Sequence, residues 1–84
     1  MVWIYDFIDD GKTVTFKYTP ENSGMEGVLQ YDRTTDDFTL LKESGFSGEY
    51  YGYIHYAKRG FREMLNAGAP FPEDPTKKIC FMWY

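Results

Sequence analysis

Two patterns of apolar residues divide the chain into a strand-rich first part and a helical second part. Up to residue 41, apolar, aromatic and β-branched residues form short runs that clusters of Gly, Pro, Asp, Asn and Ser separate, as is typical of antiparallel strands. The runs predict four strands, at Val2–Ile8, Thr13–Tyr18, Met25–Tyr31 and Asp36–Leu41. From residue 50 to 65 the apolar spacing changes to three and four residues, which indicates one buried face of a helix.

Local signals predict where this helix and the last strand begin and end. Ser44 or Ser47 can cap the helix, because a short hydroxyl accepts a hydrogen bond from a first-turn amide. Gly68 is expected to end it in a left-handed conformation. Gly60 lies close to the apolar stripe, which favours a close approach between helix and sheet. A last strand is predicted at Lys77–Tyr84, apolar on both faces.

The connections predict an α+β domain over residues 1–84: a five-stranded antiparallel sheet in the order 5-1-2-3-4, with one amphipathic helix packed on one face. An Asp10-Gly11 turn would pair the first two strands as a hairpin. That register directs one set of residues toward the helix: Trp3, Tyr5, Phe7, Val14, Phe16 and Tyr18. A four-residue turn at 32–35 would place Leu29 opposite Phe38 and Gly27 opposite Leu40.

One helix covers one face of a sheet, so the same register predicts an apolar outer face. Val2, Ile4 and Ile8 would lie there, and the last strand would add Met82 and Tyr84 with Cys80, or in the other register Ile79, Phe81 and Trp83. A contiguous apolar patch of this kind usually marks an interface. The sequence therefore predicts a homodimer, with Val2, Ile4, Ile8, Met82 and Tyr84 as candidate interface residues.

The net charge and the composition argue against some classes of binding partner. The net charge is −4 and the isoelectric point about 4.8, which argues against nucleic acid and anionic membranes as ligands. Residues 1–49 carry ten acids and four bases, net −6, whereas residues 50–84 carry three acids and five bases, net +2. A single cysteine, no secretory signal and no apolar run near ~20 residues predict a cytoplasmic protein with no membrane association.

The residues that could act in catalysis or bind a metal have no suitable partner near them in the sequence. His55 has no carboxylate or nucleophile among its helical neighbours, and Cys80 has no second Cys or His near it in sequence. Phosphate loops and hydrolase motifs are missing from the sequence. We therefore assign no catalytic, metal-binding or cofactor-binding residue and expect no cofactor; a protein that is not an enzyme is favoured, and a minor enzyme stays an alternative.

A basic cluster lies on the polar side of the predicted helix, at Lys58, Arg59 and Arg62. Tyr51 and Tyr56 flank it, and aromatic residues interleaved with bases can bind single-stranded nucleic acid. Since the whole chain is acidic, the favoured interpretation is an ordinary solvated helix face.

The segment Gly68, Pro70, Phe71 and Pro72, together with the closing Trp83-Tyr84, carries a resemblance. With the predicted strands and the single helix, the chain resembles a class of small bacterial proteins of unassigned function. The resemblance covers most of the chain. It implies the same fold and a bacterial cytosol, and it brings neither a function nor a site residue.

Three hypotheses for function follow from these observations. The first is a small protein-interaction module that self-associates through its sheet face. The second is a small-ligand binder or minor enzyme with an aromatic cleft where the helix meets the sheet. The third is an acidic inhibitor of the mobile-element kind that mimics nucleic acid with Asp9, Asp10, Asp36 and Asp37.

Overall fold

The computed structural model describes residues 1–46 and 51–82, with the side chain of Tyr51 left out. Five strands and one helix follow one another along these residues. They are β1 (Val2–Asp9), β2 (Thr13–Pro20), β3 (Gly27–Asp32), β4 (Asp37–Lys42), α1 (Tyr51–Asn66) and β5 (Ile79–Phe81). The last strand occupies only the middle of the predicted range 77–84, whose final two residues lie outside the described part.

The strands form one antiparallel sheet in the order β4-β3-β2-β1-β5, so the predicted α+β fold and strand order are confirmed. Helix α1 packs on one face. The residues that fill the space between helix and sheet are apolar and almost fully buried: Val2, Ile4, Val14, Phe16, Tyr18, Leu29, Tyr31, Ala57, Phe61 and Met64.

The first hairpin differs from its predicted register at two places. Its turn is centred on Gly11 and Lys12, one residue later than expected, because the amide of Asp10 donates to the carbonyl of Thr13 at 3.1 Å. Gly11 has a φ of +93°, which a two-residue hairpin turn needs at its first central position. Further along β1, Asp6 has a φ of +55°, and the register slips by one residue between Tyr5 and Ile8.

This slip is a β-bulge, in which Asp6 and Phe7 together face Phe16. A bulge reverses the alternation of side chains on one side of it. Val2 and Ile4 therefore lie in the core, at 0% exposure, and Trp3 and Tyr5 lie on the outer face. The predicted orientations of these four residues are wrong, whereas Phe7 and the β2 residues do face the helix.

The second hairpin keeps its predicted faces although its register differs. Leu29 pairs with Leu40, and Tyr31 pairs with Phe38, so the turn occupies residues 33–36 instead of 32–35. From Leu29 onwards, each β3 residue pairs with the β4 residue two positions later than predicted. A displacement by two positions leaves the paired side chains on their predicted faces. Asp36 closes the turn in the left-handed region, with a φ of +58°.

Helix α1 ends as the sequence predicts. Gly68 has a φ of +67°, its amide donates to Leu65, and the amide of Ala69 donates to Met64, which together make a Schellman cap. The predicted cap Ser47 lies outside the described residues. The hydroxyl of Ser44 accepts from the amide of Phe46, within a turn that precedes the helix.

The segment between α1 and β5 returns to the core through one aromatic side chain. The Phe71 ring stacks on Phe7 at 5.0 Å and on Phe61 at 5.3 Å between centroids. Phe71 therefore closes the side of the core next to the bulge, on the helix side of the sheet.

Candidate functional site

The candidate interface residues do not form one surface. Val2 and Ile4 are buried in the core, so their predicted exposure is wrong, and Tyr84 lies outside the described residues. Ile8 and Met82 are exposed, at 63% and 61%. Met82 follows Phe81, which pairs with Val2, so Ile8 lies six residues further along β1. At about 3.3 Å per residue, these two apolar side chains are roughly 20 Å apart.

Polar groups occupy the outer face of the sheet between these two residues. The amine of Lys17 lies 3.1 Å from a carboxylate oxygen of Asp6, next to the bulge. The hydroxyl of Tyr5 lies 2.7 Å from Thr19 Oγ1 and also donates to the carboxylate of Glu26. The centre of the outer face is thus a polar network with Tyr5 in its middle.

Tyr5 is nearly buried, at 4% exposure, although it points away from the helix. The ammonium of Lys78 lies 4.7 Å from the centroid of its ring. Burial, followed by the hydrogen bond to Glu26, raises the pKa of the Tyr5 phenol to about 12. The phenol stays protonated over the physiological range and serves as a hydrogen-bond donor within the fold.

The four carboxylates of the mimicry hypothesis lie together at the turn end of the sheet. Asp9 forms a bidentate pair with the Arg33 guanidinium, at 2.7 and 2.8 Å. Asp10 accepts three hydrogen bonds within its own turn. Asp36 accepts from Arg62 and from the Tyr31 hydroxyl, each at 2.6 Å. Three of the four are therefore held by contacts within the chain.

A groove runs between helix α1 and edge strand β4, with a volume of about 360 Å3. We call it the α1–β4 groove. It is lined by Asp37, Phe38, His55, Lys58, Arg59 and Arg62. The helix contributes positions 55, 58, 59 and 62, whose spacing of three and four residues puts them on one face. The strand contributes Asp37 and the half-buried Phe38.

Cationic side chains gather around Phe38. The Lys58 ammonium lies 5.7 Å and the Arg62 guanidinium 5.0 Å from the centroid of its ring. Both distances fit a cation–π contact, which holds a cation over the negative face of an aromatic ring. Three of the six lining residues are cationic and one is acidic, so the groove is a positive site on a protein whose net charge is −4.

The three cationic side chains differ in the contacts that they already make within the chain. Arg62 binds the Asp36 carboxylate and also donates to its backbone carbonyl at 2.9 Å, which fixes the helix to the β3–β4 turn. Arg59 pairs with Glu63 at 3.6 Å, where both side chains are more than half exposed. In the described part of the chain, Lys58 has no carboxylate within ion-pair distance. Lys58 and Arg59 are therefore the cations most available to a ligand.

Sequence reasoning found the basic cluster but not its partner. The helical spacing of Lys58, Arg59 and Arg62 was visible, and Arg59 does lie over Tyr56, at 5.9 Å. The groove depends on Phe38, which comes from a strand twenty residues earlier. Phe38 lies under the cations because helix α1 packs close to edge strand β4. No pattern within the sequence predicts where the helix lies relative to that strand.

The residues first considered for chemistry stay apart from one another. His55 is exposed at the rim of the α1–β4 groove, against the edge of the Tyr56 ring. Cys80 is partly buried, with its Sγ 4.0 Å from the Met1 sulfur. Across residues 1–46 and 51–82, no group of three or more His, Cys, Asp or Glu side chains could hold a metal ion.

Comparisons with protein families, with curated proteins and with solved structures found no match to this chain. Within the described residues, no helix is long and apolar enough to cross a membrane. On the surface of the described residues, the α1–β4 groove adjoins the outer edge of β4, with which no described strand pairs.

Proposed function

We propose that the protein is a non-enzymatic interaction module that binds an extended protein segment by strand addition at β4. The observation that carries this proposal is the outer edge of β4. Among the described residues no strand pairs with it, and five of its six residues are exposed. An edge of this kind offers a row of backbone donors and acceptors to an incoming strand.

Apolar side chains on β4 support the same proposal. Leu40 and Leu41 are exposed at 37% and 52%. Edge strands are usually protected by charge, by Pro, by bulges or by shortness. The bulge of β4, opposite Val28 and Leu29, interrupts only the Lys42 end of the strand. β5, at the opposite edge, has only three described residues and follows Lys77 and Lys78. β4 is twice as long and exposes two leucines, so it is the better docking strand.

Self-association stays a prediction, with a different surface from the one first expected. The two candidate interface residues that are exposed, Ile8 and Met82, lie roughly 20 Å apart, with the polar centre of the outer face between them. Two β4 strands running antiparallel would instead extend the sheet across a two-fold axis. A dimer of that kind is the competing occupant of the same edge.

The other hypotheses have less support. A small-ligand site would use the α1–β4 groove or a second cleft of about 270 Å3 beside Trp3 and Lys78. Both are open clefts with charged walls, whereas ligand sites are usually enclosed and mostly apolar. Nucleic-acid mimicry would need an unpaired row of carboxylates, and two of the four candidates already pair with arginines.

The test is an NMR titration with a neutral hexapeptide of alternating valine and threonine. We expect shift changes and slower hydrogen exchange at the β4 amides, since new backbone hydrogen bonds form there. Leu41→Lys should weaken this binding, because a charged edge residue opposes strand addition. Ile8→Lys is the matched control, at an exposed apolar residue of β1 outside β4, and should bind normally. Changes confined to β5 or to the outer face would refute the proposal.

A further inference from the structure

The α1–β4 groove lies directly beside the proposed docking edge. Phe38 and Asp37 are the β4 residues that line the groove, and Phe38 lies on the helix side of the sheet because it pairs with the buried Tyr31. A strand added to β4 would lie about 4.8 Å further out. Every second side chain of that strand would point to the helix side, toward the ends of Lys58 and Arg59.

We infer that the segment bound at β4 is acidic, with Asp or Glu at the alternate positions that face the helix. This inference rests on the proposed strand addition and specifies the chemistry of its occupant. Lys58 and Arg59 are the cations that the chain leaves most available, and carboxylates on the added strand would pair with them. Arg62 already holds Asp36 and keeps that role.

Charge also discriminates between an acidic segment and a second copy of the chain. A second β4 would present Phe38 and Leu40 on its helix side, and neither residue brings a carboxylate to the groove. It would also bring its own Lys58, Arg59 and Arg62 to the same side of the extended sheet. Since like charges that face each other across an interface oppose association, the groove favours an acidic partner over its own copy.

Three peptides of one length test the inference: the neutral valine–threonine hexapeptide, and versions with glutamate or lysine in place of threonine. We expect the glutamate peptide to bind β4 roughly tenfold more tightly than the lysine peptide at low salt. The difference should shrink at high salt, because screening weakens exposed ion pairs. NMR shifts at the β4 amides report that each peptide occupies the same edge.

Variants of the groove complete the test. Lys58→Glu combined with Arg59→Glu should abolish or reverse the preference for the glutamate peptide while the neutral peptide still binds. Lys12→Glu combined with Lys77→Glu is the control, since this double variant changes the net charge by the same amount at two exposed residues outside the groove. Circular dichroism of all variants verifies that the fold is retained.

The outcomes separate the two proposals. Equal binding of all three peptides at β4 would overturn the acidic preference and leave strand addition standing. If none of the peptides bound, both proposals would fail. A dimer in sedimentation at tens of micromolar that Leu41→Lys dissociates, and that the glutamate peptide cannot displace, would make a second copy the occupant and overturn the inference.

Discussion

The ring of Phe81 lies against the backbone of Gly60, so close that a Cβ on Gly60 would stand 2.5 Å from the ring. This contact joins α1 to β5, the strand that completes the sheet beside β1. Glycine inside a helix costs about 1 kcal/mol relative to alanine. Here the cost is offset because no other residue permits helix and strand to approach so closely.

Gly60→Ala should therefore destabilise the protein, by about 1–3 kcal/mol, although alanine is the better helix former. The added methyl group would displace Phe81 or the helix. In a Phe81→Ala background the methyl group has room, so the same change should become neutral or stabilising. Chemical denaturation of the four proteins in this cycle measures the effect. A more stable Gly60→Ala single variant would contradict the packing described here.

Asp6 gives a second prediction, because its left-handed backbone produces the β1 bulge. Asp6→Val should destabilise the protein by about 1–3 kcal/mol, since a β-branched residue is strained at positive φ. Asp6→Gly relieves that strain and loses only the partly exposed pair with Lys17, so its stability should stay close to that of the parent. If both variants unfolded at the same denaturant concentration, the bulge would not be the cause.

The buried phenol of Tyr5 predicts a pH dependence at the alkaline end. Its pKa is raised from 10.0 to about 12 in the folded state, so the unfolded chain loses this proton first. The stability that Tyr5 contributes is fully present below pH 10 and declines as the pH rises toward 12. Ultraviolet titration of tyrosinate should show late ionisation, to which Tyr31 also contributes because its hydrogen bond to Asp36 raises the pKa of that phenol, and Tyr5→Phe should reduce the late amplitude by one phenol. A late amplitude that is unchanged in Tyr5→Phe would contradict the prediction.

The Asp9–Arg33 pair predicts a pH dependence at the acidic end. The hydrogen bonds from Arg33 lower the pKa of Asp9 from 3.8 to about 2. The stability from this pair is therefore present above pH 3.8 and is lost as the pH falls toward 2. Because both side chains are about a third exposed, Arg33→Ala should cost about 1 kcal/mol or less at neutral pH.

Thermal unfolding across this acidic range measures the effect. The parent should lose more stability than Arg33→Ala between pH 3.8 and about 2. Arg59→Ala is the control, because its pair with Glu63 is longer and more exposed. Parallel curves for the parent and Arg33→Ala would mean that the pair contributes nothing in solution.

The topology of the fold could be predicted from the sequence. The side-chain orientations in the first half of β1 were predicted wrongly, and one backbone feature explains why. Turn residues and face patterns are local, and they were sufficient for the number of strands, their order and the Gly68 cap. The orientation of Val2 and Ile4 depends on Asp6 adopting a positive φ, which aspartate tolerates but does not require. One bulge of this kind exchanged the buried and exposed faces of half of β1.

The candidate site was predictable only in part, for a related reason. Lys58, Arg59 and Arg62 share a helix face by periodicity alone. Their contact with Phe38 depends on how far α1 lies from the edge of the sheet, and that distance is set by core packing around Phe61. The predicted dimer surface depended on Val2 and Ile4, so it was lost with their orientation.

From the pairing of β1 with β5 we expect an order of folding in which this contact forms late. Hairpins β1–β2 and β3–β4 form between strands that are adjacent in sequence. The pairing of Val2 with Phe81 instead joins the two ends of the described chain. Closing a loop of that length comes late, because its entropy must be lost before the contact forms. Phe81→Leu should therefore speed unfolding while hardly changing the folding rate. The packing of β5 against the core should therefore determine how long the native state lasts before it unfolds.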